Sequence, residues 1–200
     1  MARSLDVITA FHNAFRSDMA AIDRAAVALA GGRPLEGGAE PTATFERFRF
    51  FNEMLVIHAN GEEAVIFPML ERVAPDVAEA YWRDHRRLDA AYEMLDRAVA
   101  TGDPLRVARA TAAFRFHLET HLAKEDAHLY RLVAERVPVP DQDAAAGAMA
   151  SRTPRERFPG VIAWLFPLLT LEDREKTIQA WQMLMPPEVF AGVAQLIARV

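Results

Sequence analysis

Hydrophobic residues recur every three or four positions along most of this 200-residue chain, which is the pattern of helices with one buried face. The stretch 42–73 shows it clearly, because Phe48, Phe51, Leu55 and Phe67 return near the helical period. No alternation of hydrophobic and polar residues is long enough to predict a β-strand. The pattern predicts four long helices at residues 5–30, 42–73, 75–100 and 104–137.

Helix boundaries follow from residues that favour or interrupt helical backbone. Ser4 is in position to cap the first helix, which ends at the Gly/Pro-rich loop 31–41. Pro68 is expected to bend or break the last turn of the second helix, since proline removes a backbone donor. Asp103 followed by Pro104 is a typical start of the fourth helix.

Four long helices with short connections predict an all-α protein built on an up-down-up-down four-helix bundle. The bundle is expected over residues 1–137, a linker rich in alanine over 138–153, and a C-terminal helical extension over 154–200. The extension is strongly apolar, so it must bury its surface against the bundle, itself or a partner. Its three short helices are expected at 155–169, 171–185, after a Thr170 cap, and 186–199.

The composition of the chain limits which partners and which metal ligands are expected. The net charge of −5 and a pI near 5.7 give no reason to expect a nucleic-acid or anionic membrane partner. The chain has no cysteine, so a metal would be held by histidine and carboxylate ligands, which suit iron, manganese and zinc. No signal peptide is visible, and the longest apolar stretch, 161–169, falls short of the roughly 20 residues of a membrane span. A cytoplasmic location is expected.

Four of the six histidines fall into one pattern that occurs twice. Each copy has a lone histidine and, one helix later, the motif His-x-x-x-Glu, whose spacing places two side chains on one helix face. The copies are His12 with His58 and Glu62, and His85 with His121 and Glu125.

The two copies indicate a duplicated helical hairpin. His12 and His85 lie 73 positions apart (85 − 12), as do Asp23 and Asp96 (96 − 23), whereas the two His-x-x-x-Glu motifs lie 63 apart. The difference of ten matches a long loop in the first hairpin and a short one in the second. Two such hairpins pack with approximate two-fold symmetry, which brings both motifs into the bundle core.

A single His-x-x-x-Glu motif is usually a solvated surface pair, and a lone histidine is usually an ordinary core or boundary residue. The doubled pattern differs because Glu62 and Glu125 lie in apolar stretches, where an unpaired buried carboxylate is costly. Lys124 is the only cation near them in sequence. A pair of metal ions would offset the burial of both acids.

The same residues resemble the hemerythrin-like, or HHE cation-binding, domain over residues 5–136. The segments GEEAVIFPML and DHRRLDAAYEML are typical of it. The residues that carry the resemblance are His12, His58-x-x-x-Glu62, Asp84-His85 and His117-x-x-x-His121-x-x-x-Glu125.

The resemblance implies two iron ions joined by an oxo or hydroxo bridge. It makes the two glutamates bridging ligands and divides the histidines between the irons, with His117 as a third histidine of the second iron. The first iron would then have fewer protein ligands and an open position for a small ligand. The implied metal ligands are His12, His58, Glu62, His85, His117, His121 and Glu125.

This chain departs from oxygen-carrying hemerythrins on its third helix, where one histidine replaces a pair and Tyr81 stands at the place of the missing one. Tyr81 is either a ligand or a donor to one, and His117 is either a ligand or only a hydrogen-bonding neighbour. Glu63 and Asp126 match each other in the repeat and are expected at the surface or beside the ligands. His128 has no counterpart and is expected outside the site.

Three functional hypotheses follow. In the first, the centre binds or senses O2 or NO or reacts with peroxide. In the second, it is an enzyme that disproportionates peroxide or reduces NO. In the third, it is an iron sensor or store that signals through the extension to a protein partner or a second copy.

A ferritin-like oxidase is the main structural alternative. It needs two Glu-x-x-His motifs, and this chain offers only Glu125–His128.

Overall fold

The structure is a computed structural model that describes residues 4–38 and 40–200. Within these residues the secondary structure is helical and contains no strand, which confirms the predicted all-α class. The first and third bundle helices are α1 (Asp6–Ala30) and α4 (Pro75–Ala100). The second runs through α2 (Pro41–Gly61), a π-helical turn (Glu62–Ile66) and α3 (Phe67–Val73). The fourth runs through α5 (Pro104–Lys124), a second π-helical turn (Glu125–Leu129) and α6 (Tyr130–Arg136).

The predicted helix boundaries hold except at the start of α1. Asp103 caps α5 by accepting hydrogen bonds from the backbone N–H groups of Leu105 and Arg106. The loop before it turns at Gly102, whose φ of 66° lies in the left-handed region that favours glycine. The prediction that Ser4 caps α1 is wrong, because the helix starts after Leu5 and no side chain caps it.

Each copy of the repeat contains a π-helical turn, and both turns begin at the glutamate of His-x-x-x-Glu. We expected an irregularity in the second helix from Pro68 alone. The second copy carries Arg131 at the matching position, so proline is not required for the turn. Single π turns within α-helices are frequent at functional sites, because they change the direction of the side chains that follow.

The predicted linker is a helix. Residues Val139–Ser151 form α7, whose alanines favour helix formation and whose Ala145 packs among residues at the end of α6. Gln142 fixes the start of α7 by donating a hydrogen bond of 2.8 Å to the carbonyl of Val137. The segment predicted as a linker is thus helical and packs against the end of the bundle.

The extension has the expected three helices. Thr170 accepts a hydrogen bond from the backbone N–H of Asp173, as a cap does. A short 3-10 turn (Arg155–Arg157) precedes α8 (Phe158–Leu168), which is followed by α9 (Leu171–Leu184) and α10 (Pro187–Ile197).

The apolar face of the extension is buried against α1. Ile162, Leu165 and Trp181 form one cluster with Ala10 and Ala14, whose small side chains allow close helix approach. Trp164 and Arg47 both donate hydrogen bonds to the fully buried carboxylate of Asp18, the indole at 2.7 Å. None of the described helices is both long and apolar enough to cross a bilayer.

Two apolar clusters of the bundle lie on either side of a polar layer. One cluster contains Phe15 of α1 and Phe51 of α2, and the other contains Ile8 of α1 and Ile66 of the first π turn. His12 lies on α1 between Ile8 and Phe15, so it is placed between the clusters. The bundle therefore holds its polar side chains in a layer surrounded by close-packed apolar residues.

Candidate metal centre

Six of the seven predicted ligands come together in the bundle core. The bundle helices carry them: α1 gives His12, α4 gives His85, and each of the other two gives a His-x-x-x-Glu pair. They form two groups, in each of which one ligand atom per residue lies within 4.8 Å of the others. The groups are His12, His58, Glu62 and Glu125, and Glu62, His85, His121 and Glu125, so the two glutamates are shared.

The first group has the spacing of ligands around one ion. His12 Nε2 lies 3.1 Å from His58 Nε2 and 3.5 Å from Glu125 Oε2. His58 Nε2 lies 3.3 Å from Glu62 Oε1. Nitrogen and oxygen ligands at about 2.1 Å from a common metal ion are themselves about 3 to 3.5 Å apart in tetrahedral or octahedral geometry.

The second group has similar distances between ligand atoms, and in it the histidines face the other carboxylate oxygen of each glutamate. His85 Nε2 lies 3.4 Å from Glu62 Oε2 and 3.9 Å from Glu125 Oε1. His121 Nε2 lies 3.2 Å from Glu125 Oε1. Each glutamate thus faces one group with one oxygen and the other group with its second oxygen, which is the arrangement of a carboxylate that bridges two ions.

Several polar atoms of this layer are buried without a hydrogen-bond partner among the described residues. They are Oε2 of Glu62, both side-chain oxygens of Glu125, Nε2 of His85 and Nδ1 of His121. Buried polar groups in proteins are nearly always paired, because an unpaired one costs about 1–3 kcal/mol. Four of the five atoms belong to the faces just described, so the residues present fit a pair of cations.

The two lone histidines are held by acids from the opposite hairpin. His12 Nδ1 lies 2.7 Å from Asp126 Oδ1, and His85 Nδ1 lies 2.8 Å from Glu63 Oε1. Arg16 also donates to Asp126, at 2.6 Å. A carboxylate on Nδ1 fixes the ring so that Nε2 offers its lone pair to the centre. Glu63 and Asp126 are therefore partners of the candidate ligands and not simple surface charges.

The pKa values of the two glutamates are shifted in opposite directions by their surroundings in this layer. Burial raises the pKa of Glu125 well above its ordinary value, and the nearby charge of Glu62 adds to this rise. Burial acts in the same direction on Glu62, but the neighbouring His58 and His85 outweigh it and hold its pKa well below the usual range. Two close, buried carboxylates ionise unequally, and a cation between them would allow both to be ionised.

The pKa values of the buried histidines are also shifted in opposite directions. Burial lowers the pKa of His12, against the hydrogen bond to Asp126, and lowers the pKa of His121 to about 3, with repulsion from His85 adding to it. Burial also opposes the charged form of His85, but the nearby carboxylates of Glu62 and Glu63 raise its pKa overall. Neutral imidazole is the form that binds metals, and His12 and His121 are biased towards it.

Tyr130 belongs to this layer and was not found from the sequence. Its hydroxyl group donates a hydrogen bond to Glu62 Oε1, the oxygen that faces His58, and its ring lies 5.7 Å from that of His12 between centroids. The repeat offset of 63 pairs Tyr130 with Phe67, whose ring lies 4.8 Å from that of His85. Comparing the copies residue by residue would have found this one polar difference beside the ligands.

The seventh predicted ligand is not in the centre. His117 is exposed, its ring lies 5.7 Å from that of the adjacent Phe116 between centroids, and the structure does not bring it into either group of ligand atoms. It lies one residue, about 100° of helix rotation, from the fully buried Leu118, at the edge of the buried face. Tyr81 donates a hydrogen bond to the backbone carbonyl of Lys124, at 2.9 Å, and to no ligand. His128 is exposed, as expected.

We expected the first iron to have fewer protein ligands than the second, because His117 was assigned to the second. The observed position of His117 removes this difference. With His117 outside, each group has two histidines and the same two glutamates. The remaining differences are Tyr130 and the surroundings of His58, whose side chain is 8% exposed and is the most accessible of the six. A cavity of about 110 Å³ between α2 and α4, lined by both polar and apolar side chains, reaches His58, Glu62 and His85.

The comparison with protein families decides which kind of protein this is. The model of the hemerythrin HHE cation-binding domain matches the chain twice, at residues 3–83 and 76–156. The chain belongs to this family. The two matches are displaced by 73 residues (76 − 3), the offset that separates His12 from His85, which supports the duplicated hairpin. As a hemerythrin HHE domain, the chain carries a cation-binding bundle, and the matched region includes α7.

Two curated plant proteins are similar to this HHE domain chain. Zinc finger protein BRUTUS of Arabidopsis thaliana is 25% identical over 184 residues, which cover 89% of this chain and 14% of that protein. A BRUTUS-like zinc finger protein of the same plant is 21% identical over 207 residues, covering 94% of this chain and 16% of its own length. The chain thus spans about one seventh of these relatives. No solved structure matches it significantly.

Proposed function

We propose that the bundle holds two iron ions between its paired histidines and shared glutamates, and that this centre binds or senses O2 or NO or reacts with peroxide. The observation that supports it is the set of buried, unpartnered ligand atoms on Glu62, Glu125 and His85. Such atoms are costly unless a cation binds them. The symmetric spacing of the two groups favours two ions over one.

The donor set favours this chemistry. Imidazole and carboxylate ligands in a helical bundle suit iron and manganese, and the absence of cysteine disfavours the sites preferred by zinc structural domains. Bound iron would supply electron transfer to a small ligand. The protein would orient His12 and His85 through Asp126 and Glu63, and its apolar clusters would keep bulk water from the centre.

Anaerobic titration of the metal-free protein with ferrous iron tests the proposal. We expect two irons per chain and an absorption change on later addition of O2, NO or H2O2. The Glu62→Ala variant removes a shared ligand and should bind little iron, whereas the exposed His117→Ala variant should bind as much as the parent. One iron per chain, or a preference for substoichiometric zinc, would refute the dinuclear iron centre.

Three outcomes of the same titration separate the kinds of activity. A stable oxygenated band that reverses under vacuum supports a carrier or sensor of O2. Rapid evolution of oxygen from H2O2 supports a catalase-like enzyme, and consumption of NO over many turnovers supports an NO-reducing enzyme.

An iron sensor or store is the second candidate, and contacts between the extension and α1 favour it. Asn13, next to His12, donates a hydrogen bond of 3.4 Å to Asp173 of α9, and Ala10 and Ala14 pack against the extension. A change in the position of α1 on iron binding would therefore reach α8 and α9. Hydrogen exchange in these helices should slow when iron is added, and should not change in Glu62→Ala. Equal exchange with and without iron would contradict a sensor of this kind.

A further inference from the structure

A second cavity, of about 80 Å³, lies between the bundle and the extension. The bundle contributes Phe11, Met54 and His58 to its wall, and the extension side contributes Met149, Trp181 and Leu184, among others. Most of the lining is aliphatic, aromatic or thioether. It shares no lining residue with the cavity between α2 and α4 except His58, which borders both.

The size and lining of this cavity restrict what can occupy it. An enclosed apolar cavity of about 150 Å³ holds a benzene molecule. This cavity is partly open to solvent, and the space of about 80 Å³ between its walls has room for something smaller. Water needs two to four polar partners, and the polar side chains in the wall are few: Ser4, His58, Thr153 and the indole of Trp181. A small apolar molecule is therefore the occupant that fits.

The close approach of α7 shapes the cavity. Gly61 of α2 lacks a side chain where a Cβ atom would lie 3.2 Å from the terminal methyl group of Met149, so Met149 can pack closely against the bundle. Ala146, one turn earlier on α7, is buried and also lines the cavity. The segment that the sequence indicated as a linker is thus part of the wall.

We infer that the cavity is a binding site for an apolar diatomic gas, which α7, α8 and α9 build beside His58 and which holds the gas next to the candidate metal centre. His58 is a candidate ligand of the first group and borders the cavity. Phe11 covers one face of the His58 ring, with centroids 6.2 Å apart and planes 16° apart, so the cavity reaches the ring through apolar surroundings. The binding site itself requires no metal; only its service to the centre rests on the proposed function.

Xenon tests the site in the metal-free protein, because xenon occupies apolar cavities without chemical reaction. We expect xenon-pressurised crystals to show xenon between Met149 and His58. Ala146→Leu fills the cavity and should abolish this density, while Met149→Ala enlarges it and should increase the occupancy. Ala148→Leu is the matched control, since Ala148 is exposed on the same helix and should leave xenon binding unchanged.

The result that overturns the site is the absence of xenon from the cavity in both the parent protein and Met149→Ala. Equal occupancy in Ala146→Leu and Ala148→Leu would also overturn it. Neither result depends on iron, so both are distinct from a failure of the iron titration.

The gas's access to the metal is tested in the iron-loaded protein by stopped-flow mixing with NO and, separately, with O2. Ala146→Leu should slow the association of the gas that uses the site several-fold, and Ala148→Leu should not. An unchanged rate for both gases, with iron content equal to that of the parent, would overturn delivery through this cavity. Slowing for one gas alone identifies that gas as the occupant.

Discussion

The hydrogen bond between His12 and Asp126 gives the sharpest test of how the candidate centre is organised. Asp126→Ala removes the acceptor 2.7 Å from His12 Nδ1, so nothing then fixes the orientation of the imidazole from that side. Arg16 holds Asp126 from the other side at 2.6 Å, which makes this acid a rigid partner. The variant leaves all six candidate ligands in place.

The expected size of the effect follows from the role of this hydrogen bond. A carboxylate that orients a metal-bound histidine contributes about 10- to 100-fold in metal affinity. This corresponds to about 1.4–2.8 kcal/mol, within the range for a hydrogen bond to a charged group. Asp126→Asn keeps an acceptor without the charge, so its affinity should lie between those of the parent and Asp126→Ala.

The assay is an anaerobic competition for ferrous iron between the protein and a coloured chelator. Glu135→Ala is the matched control, because it also removes one negative charge but breaks only an exposed pair with Arg131, which contributes little to stability. Iron affinity of Asp126→Ala equal to that of Glu135→Ala, with the helical circular dichroism preserved, would refute the orienting role. A tenfold loss in both variants would indicate a general charge effect instead.

Other variants test the remaining parts of the structure. His117→Ala should leave iron content and melting temperature unchanged, and a loss of iron would contradict its exposed position. Tyr130→Phe removes the donor to buried Glu62 and should lower the free energy of unfolding of the metal-free protein by about 1–3 kcal/mol in urea titration; an unaltered midpoint would argue against that bond. Glu62→Ala should abolish the stabilisation that iron gives the parent, about 2.7 kcal/mol at a hundredfold excess over Kd, as measured by thermal melting. Asp103→Ala should cost about 1 kcal/mol without changing iron binding, because it removes only a helix cap.

The candidate ligands divide into those that local helix geometry places together and those that needed the comparison of the two repeat copies. His58 and Glu62 share one helix at a spacing of four, so local geometry alone places them together. The lone histidines required a second step, the repeat offset, since they come from other helices. The same reasoning failed for His117, which shares the four-residue spacing with His121 but lies at the edge of the buried face.

The partners of the lone histidines were beyond local rules for a different reason. On a regular α-helix Glu63 points about 100° away from Glu62, which left open whether it lies at the surface or beside the ligands. Both acidic pairs stand at the start of a π turn, where the regular period does not apply, and the second acid of each pair meets a histidine of the other hairpin. Only the packing of the two hairpins decides such a contact.

The sequence by itself determined the bundle helices, the three helices of the extension, the duplicated hairpin and six candidate ligands. Hydrophobic period, caps, motif spacing and the repeat offset can all be read without knowing how the helices pack. The tertiary structure decided which helix faces are inside, and hence that His117 is excluded and Tyr130 included. It also decided that the alanine-rich segment before the extension is a helix, α7, against the bundle. That helix and the extension form a cavity beside His58, since a cavity exists only where separate elements fail to fill the space between them.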